Sequence, residues 1–220
     1  MSGLPERIEA LVADARAVKR LRPPLLRAAG WLGFAAVVLA AFVMRHGIDP
    51  DSWLRLADPG FVLPAAGSLA AGVLAAIAAF QVSLPDRPLN WLLLPAPAAL
   101  LWVASVGVGC LATWVDLPAD PAERAHAVEC FQAVSAISLP LLLSLLFMLR
   151  HAFGLRPVAV ALAASFAVAA LGTSVLMLIH PHGTSLMILG WNLGMVGLVV
   201  GLGRLLAPGL RLWATRVRIA

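Results

Sequence analysis

Charge is scarce in this 220-residue chain. Asp, Glu, Lys and Arg account for 12% of the residues, against about 25% in ordinary soluble domains. Hydrophobic residues account for 61%, and the mean hydropathy is +0.93. A soluble core of this size does not need so much apolar surface. The composition therefore predicts one polytopic membrane domain with a short cytoplasmic arm.

Catalytic patterns are also missing. The chain has no usable Ser, His and Asp arrangement, no phosphate-binding glycine loop and no CxxC pair. No acidic or basic residue lies well inside an apolar run, where pumps and transporters keep the charges that move ions or protons. The sequence therefore argues against an enzyme and weakens the alternative of a small transporter or channel subunit.

Six apolar runs make up most of the chain. The clearest is Phe131 to Met148, 18 residues without charge, which is close to the length that crosses a hydrocarbon core of roughly 30 Å as a helix. The runs predict an all-α fold, a bundle of six transmembrane helices at about residues 28–44, 61–82, 91–112, 131–149, 157–179 and 184–206. Residues 1–27 would form a cytoplasmic arm, and residues 207–220 a basic cytoplasmic tail.

The arm is the one sizeable polar segment and has the pattern of an amphipathic helix. Its apolar residues recur at steps of three or four and would share one face. Its acidic residues come early and its basic residues late, as the helix dipole prefers, and Pro23 and Pro24 would end the helix. Such a helix either lies on anionic lipid or docks a cytoplasmic partner.

The distribution of basic residues predicts the orientation. With the N-terminus in the cytoplasm, Arg45, Arg55 and Arg124 are the only ones of the 16 basic residues that fall outside, as the positive-inside rule expects. Both termini would then be cytoplasmic. Because the basic residues flank the apolar runs, as topology signals do, the net charge of +5 does not indicate nucleic-acid binding.

This orientation gathers sulfur and imidazole groups at the outer face. Thiolate and imidazole are ligands for zinc, copper and cadmium, and a metal site would form if the fourth and fifth spans pack together. The alternatives are that the histidines are interfacial polar residues, that Cys130 is a small buried hydrophobe, or that Cys110 and Cys130 form a disulfide. The candidate metal ligands are Cys130, His126, His180 and His182, and the candidate redox residues are Cys130 and Cys110.

Two further patterns have structural explanations. A strip of glycines along one side of the sixth span lets helix backbones approach closely, either inside the bundle or across a homodimer. Indoles near span ends usually anchor at lipid headgroups. The glycines are Gly190, Gly194, Gly197 and Gly201, and the indoles are those of Trp31, Trp91, Trp114 and Trp191.

Several short motifs, in this order, carry a family resemblance. They are VKRLRPP (Val18 to Pro24), WLRLADPGF (Trp53 to Phe61), Gly109 with Cys110, Cys130 at the head of the fourth span, GLRP (Gly154 to Pro157), and the turn at Pro181 followed by Trp191. Over nearly the whole chain they resemble the NrsF-type anti-sigma-F factors. The resemblance implies an inner-membrane regulator with six spans.

The resemblance also implies a partner and a way of holding it. A cytoplasmic arm of this kind would hold an extracytoplasmic-function sigma factor until stress is sensed outside. In this chain the docking residues would be Leu4, Ile8, Leu11, Asp14, Val18, Arg20, Leu21 and Arg22.

One position departs from the family pattern. The family is thought to sense oxidants or heavy metals through a cysteine pair in outward-facing segments, and Cys130 matches the first of that pair. The second is usually a Cys before Pro, whereas this chain has His180 before Pro181. A Cys and a His cannot close a disulfide, although both can ligate one metal ion. We therefore expect a regulatory metal ion rather than a constitutive cofactor, bound by Cys130, His180 and His182; the alternative is that sensing by a disulfide has been lost or has moved to Cys110.

Overall fold

The computed structural model describes residues 22–48, 54–112, 121–150 and 156–179, together with Gly3, Glu9, Ser52, Gly194, Gly197 and Gly201; for residues 106–112 and 121–131 it describes the backbone alone. The described residues form five α-helices and no strand, which confirms an all-α fold for this part of the chain. The helices are α1 (Pro24–His46), α2 (Pro59–Val82), α3 (Ala96–Ala112), α4 (Pro121–Leu149) and α5 (Pro157–Ile179), with 3-10 helices at Arg55–Ala57 and Leu89–Leu93.

Four of these helices, α1, α2, α4 and α5, are long and apolar enough to cross a bilayer, which indicates a membrane protein. The third predicted span divides into the 3-10 helix Leu89–Leu93 and the 17-residue α3. Pro95 lies at the division, and its carbonyl accepts the first bond of α3, from the Ala99 N–H at 2.8 Å. The sixth predicted span lies outside the described residues, apart from its three described glycines.

Prolines mark where the helices begin. Pro24, Pro59, Pro121 and Pro157 are the first residues of α1, α2, α4 and α5. A proline fits there because its φ angle suits a helix and its missing N–H would have no partner in the first turn. Asp58 also caps α2, since its side chain accepts a hydrogen bond from the Gly60 N–H at 2.8 Å.

Helix α2 lies at the centre of the described bundle. It packs most extensively on α5, and it also contacts α1 and α3, while α4 packs on α5 and α1. Two glycines allow the close approach. A Cβ added at Gly72 would lie 2.7 Å from Leu171 Cγ of α5, and one added at Gly67 would lie 3.1 Å from Trp102 Cα of α3. The backbones of these helices therefore meet through small residues.

Helix α4 has one face buried in the bundle and one face exposed. Side chains spaced by four residues share one helix face, and the inward set of α4 is at most 1% exposed. The opposite set is 58 to 65% exposed, although it consists of leucine and phenylalanine. An apolar stripe of this kind is the surface that lipid would cover. The inward set is Ile137, Leu141, Leu145 and Leu149, and the outward set is Leu139, Leu143 and Phe147.

Candidate functional site

Four helix termini meet at one end of the bundle, which we call the arm end because the arm joins α1 there. Arg27 near the start of α1 reaches the end of α4 at Met148 and the end of α2 at Phe80. Arg156, just before α5, reaches the loop that follows α2. The start of α1, the ends of α2 and α4, and the start of α5 therefore lie together, as an alternating path through a membrane requires.

Arg27 makes the first link between α1 and α4. Its Nη2 donates a hydrogen bond to the Met148 carbonyl at 2.6 Å. The last four carbonyls of a helix have no partner within the helix, and the helix dipole favours a cation at this end. The Cζ atom of Arg27 also lies 5.4 Å from the centroid of the Phe80 ring, within the range of a cation–π contact. One side chain thus caps α4 and contacts α2.

Trp31 makes the second link, one helical turn further along α1. Its side chain is 1% exposed, and its Nε1 donates to the Ser144 Oγ of α4 at 3.1 Å. The Ser144 hydroxyl donates in turn to the Leu141 carbonyl at 2.8 Å. The prediction that Trp31 anchors at headgroups is therefore wrong, because its N–H is used inside the bundle.

Arg156 links the start of α5 to the loop after α2. Its Nη1 donates to the Arg87 carbonyl at 2.7 Å and its Nη2 to the Pro85 carbonyl at 3.0 Å. This gives the arginine of the GLRP motif a structural role. Among the described basic residues at this end, Arg22, Arg87 and Arg150 are exposed, so the arm end presents positive charge.

The opposite end of the bundle, which we call the far end, is held by Ser52. Its side chain is 2% exposed, and its Oγ donates to the Leu178 carbonyl in the last turn of α5 at 3.0 Å. This bond joins Ser52, in the segment between α1 and α2, to a point two residues before His180. The far end of α5 is therefore fixed next to the predicted sensing turn.

The structure places some of the predicted sensing residues and leaves others undescribed. His126 and Cys130 lie four residues apart in α4, so their positions share one face of that helix. Cys110 lies in the last turn of α3. His180 and His182 lie outside the described residues. Within the described part of the chain no three His, Cys, Asp or Glu residues form a metal-binding group, so the ligand set stays a prediction.

The predicted docking and packing residues fall mostly outside the described ranges. Of the docking residues only Arg22 is described, and it is exposed; Leu4, Ile8, Leu11, Asp14, Val18, Arg20 and Leu21 are not. Gly190 is also outside. At Gly194, Gly197 and Gly201 no atom of the described residues lies within 4 Å of an added Cβ. Whether this strip packs internally or across a dimer stays open.

The sequence analysis missed the close-packed glycines of α2. The available signal was a row of small residues at every fourth position, which is typical of closely packed membrane helices. The row that contains Gly67 continues with Ala71, Ala75 and Ala79, and the row that contains Gly72 includes Ser68 and Ala76; all seven residues are buried.

The four long apolar helices, together with the linked arm end, indicate a helical membrane protein. The family model described as NrsF, negative regulator of sigma F, matches residues 11–213. The chain belongs to this family, which confirms the resemblance, and it is therefore a negative regulator whose partner is a sigma factor. Comparisons with curated proteins and with solved structures gave no match.

Proposed function

We propose that this chain is an inner-membrane anti-sigma factor that holds an extracytoplasmic-function sigma factor through residues 1–27. It releases the sigma factor when a heavy metal or an oxidant acts at its periplasmic face. One observation carries the proposal: the arm enters α1 beside Arg27, which is bonded to α4, the helix with His126 and Cys130 towards its other end.

The length of α4 suits a connection between two faces of a membrane. Its 29 residues measure about 44 Å as a helix, against roughly 30 Å for a hydrocarbon core. Met148 and Cys130 are separated by 18 residues, or about 27 Å along the axis. With Met148 at the cytoplasmic boundary, Cys130 lies near the periplasmic boundary and His126 lies beyond it.

Metal is the stimulus that the residues favour. Cys130 and His126 share a face of α4, and a metal held between them and His180 or His182 would draw the far ends of α4 and α5 together. Zinc, copper and cadmium accept this mixture of sulfur and nitrogen ligands. The alternative stimulus is an oxidant that joins Cys110 to Cys130. In either case the stimulus acts only if it favours one of two bundle states over the other.

The decisive experiment removes the arm. The full-length chain and a variant lacking residues 1–22 are produced in membranes, and co-purification of sigma F from detergent extract is measured. We expect the shortened chain to insert normally, because the apolar runs are intact, and to lose sigma F. Removal of residues 207–220 serves as the control and should leave capture unchanged. Persistent capture by the chain without its arm would rule out this way of holding the sigma factor.

A further inference from the structure

We infer that Arg27, Trp31 and Ser144 are positioning residues for sigma-factor capture. Together with the Met148 carbonyl they form what we call the latch, which holds the start of α1, and with it the arm, against the arm end of α4. The inference rests on the proposed function, since it concerns how the arm is presented to the sigma factor. The inference identifies the latch as the set of contacts through which a conformational change in α4 would reach the arm.

The Arg27 bond is a strong one for physical reasons. A charged donor makes a shorter and stronger hydrogen bond than a neutral one, and the 2.6 Å separation of Nη2 and the Met148 carbonyl fits this. The Phe80 ring 5.4 Å from Cζ supports the same guanidinium from α2. If α4 moves away, the guanidinium loses its acceptor and the carbonyl loses its cap. Because both interactions are lost on opening, they stabilise the state in which the latch is closed.

The Trp31 bond gives a buried donor of α1 an acceptor on α4. An indole N–H that is buried without an acceptor is costly, and Ser144 provides that acceptor from α4. The Ser144 hydroxyl has one proton, which goes to the Leu141 carbonyl, so its oxygen is left to accept from Trp31. The two hydroxyl bonds are therefore compatible.

The latch lies where a change in α4 would reach the arm. Arg27 follows Pro24, the first residue of α1, by three positions. Pro140 lies inside α4, between Cys130 and Ser144. A proline removes one backbone hydrogen bond and is a place where a helix bends. A bend there would shift Ser144 and Met148 relative to Trp31 and Arg27, so the latch would open when the far end of α4 is pulled.

The first test compares two serines that are matched in burial and in their main-chain hydrogen bond. Ser144 and Ser105 are both half-buried, and each hydroxyl donates to the carbonyl three residues earlier at 2.8 Å. Only Ser144 also accepts from a tryptophan of another helix. We expect Ser144→Ala to weaken co-purification of sigma F by about threefold, the typical worth of a hydrogen bond between membrane helices. Ser105→Ala should leave it unchanged.

A conservative variant separates positioning from packing. Ser144→Thr keeps a hydroxyl that can accept from Trp31, so sigma F capture should return to the wild-type level. Failure of this rescue, or an equal loss in Ser105→Ala, would show that capture responds to general damage of the bundle and would overturn the inference.

The second test concerns the charged half of the latch. Arg27→Gln removes the charged donor and should weaken capture by about tenfold or more, because hydrogen bonds to charged groups are worth more than neutral ones. Arg87→Gln is the matched control, since its side chain is exposed at the same end of the bundle. Equal capture by Arg27→Gln and wild type would overturn the inference.

The arm deletion distinguishes failure of the latch from failure of the proposed function. If the chain lacking residues 1–22 loses sigma F while Ser144→Ala and Arg27→Gln capture it normally, the latch is wrong and the proposed function stands. If the chain without its arm still captures sigma F, the proposed function itself is contradicted, and the latch falls with it. Membrane insertion and thermal unfolding in detergent, measured for every variant, identify any that fail to fold.

Discussion

At the scale of single residues, the arm end depends on donors that serve acceptors on other helices. Arg27 caps α4, Arg156 holds two carbonyls of the loop after α2, and Trp31 donates to Ser144. Each carbonyl or hydroxyl that accepts these bonds would otherwise need water or another partner. Arg27 and Arg156, two of the basic residues used to predict the orientation, therefore also fasten the helices to one another.

Cys130 is the residue on which the sensing proposal depends most. Replacing a metal ligand should cost more than replacing a residue that only orients a ligand, which typically costs 10- to 100-fold. We therefore expect Cys130→Ser to raise the metal concentration that half-activates a sigma F-dependent reporter by at least about tenfold. An unchanged dose response would remove Cys130 from the sensing site.

Cys110 distinguishes the two candidate stimuli. If Cys130 acts as a metal ligand with His180 and His182, Cys110→Ser should leave the metal response intact. If Cys110 and Cys130 act by closing a disulfide, both replacements should abolish the response to oxidant equally, because either one leaves a single thiol.

Sequence reasoning reached the roles of some of these residues and not of others. The distribution of basic residues predicts the side of the membrane on which Arg27 lies, but not its contact with α4. The sequence predicts a headgroup position for Trp31 because this residue lies near the end of an apolar run. Both roles depend on Met148 and Ser144, which lie more than 110 residues away in sequence. Contacts over such distances leave no local pattern in the chain.

At the scale of helices, α2 organises the bundle through residues with little or no side chain. Gly67 lies against Trp102 of α3, and Gly72 lies against Leu171 of α5. Close packing of this kind stabilises helix association in lipid, where the hydrophobic effect does not drive helices together. The bundle is therefore sensitive to added volume along α2.

Gly72→Ala tests this packing. The added Cβ would lie 2.7 Å from Leu171 Cγ and 3.0 Å from the Leu171 backbone nitrogen, so α5 must shift. We expect a loss of about 1–3 kcal/mol in the free energy of unfolding, measured by denaturation in detergent.

Gly33→Ala is the control for this measurement. Gly33 lies inside α1, and no atom of the described residues lies within 4 Å of a Cβ added there. Alanine has the higher helix propensity, so this variant should be neutral or more stable. Equal destabilisation by both variants would contradict the close packing of α2 on α5.

The apolar runs predicted where the helices lie more accurately than they predicted where the helices begin and end. The run that predicted the fourth span begins at Phe131, whereas α4 begins at Pro121. The cause is that a helix does not end where hydrophobicity ends, and residues such as Glu123 and Glu129 continue it outside the apolar run. The better signal was proline, which begins four of the five described α-helices.

At the scale of the whole molecule, one helix connects the two ends of the bundle. The arm end presents exposed arginines and the start of α1, and the far end carries the end of α5, where Ser52 is bonded to Leu178. Helix α4 runs between them with the latch towards one end and Cys130 towards the other. Composition and charge distribution predict that these two ends lie on opposite sides of the membrane, since both signals depend on the chain as a whole rather than on particular contacts.

The central claim is that Cys130 and the arm lie on opposite sides of the membrane. It is tested by labelling with a membrane-impermeant maleimide in a Cys110→Ser background, comparing Cys130 with a single cysteine introduced as Ser2→Cys in a chain that also carries Cys130→Ser. The account predicts that Cys130 is labelled in spheroplasts, and that the cysteine at position 2 is labelled only in inverted vesicles. Labelling of both positions from the same side would contradict it.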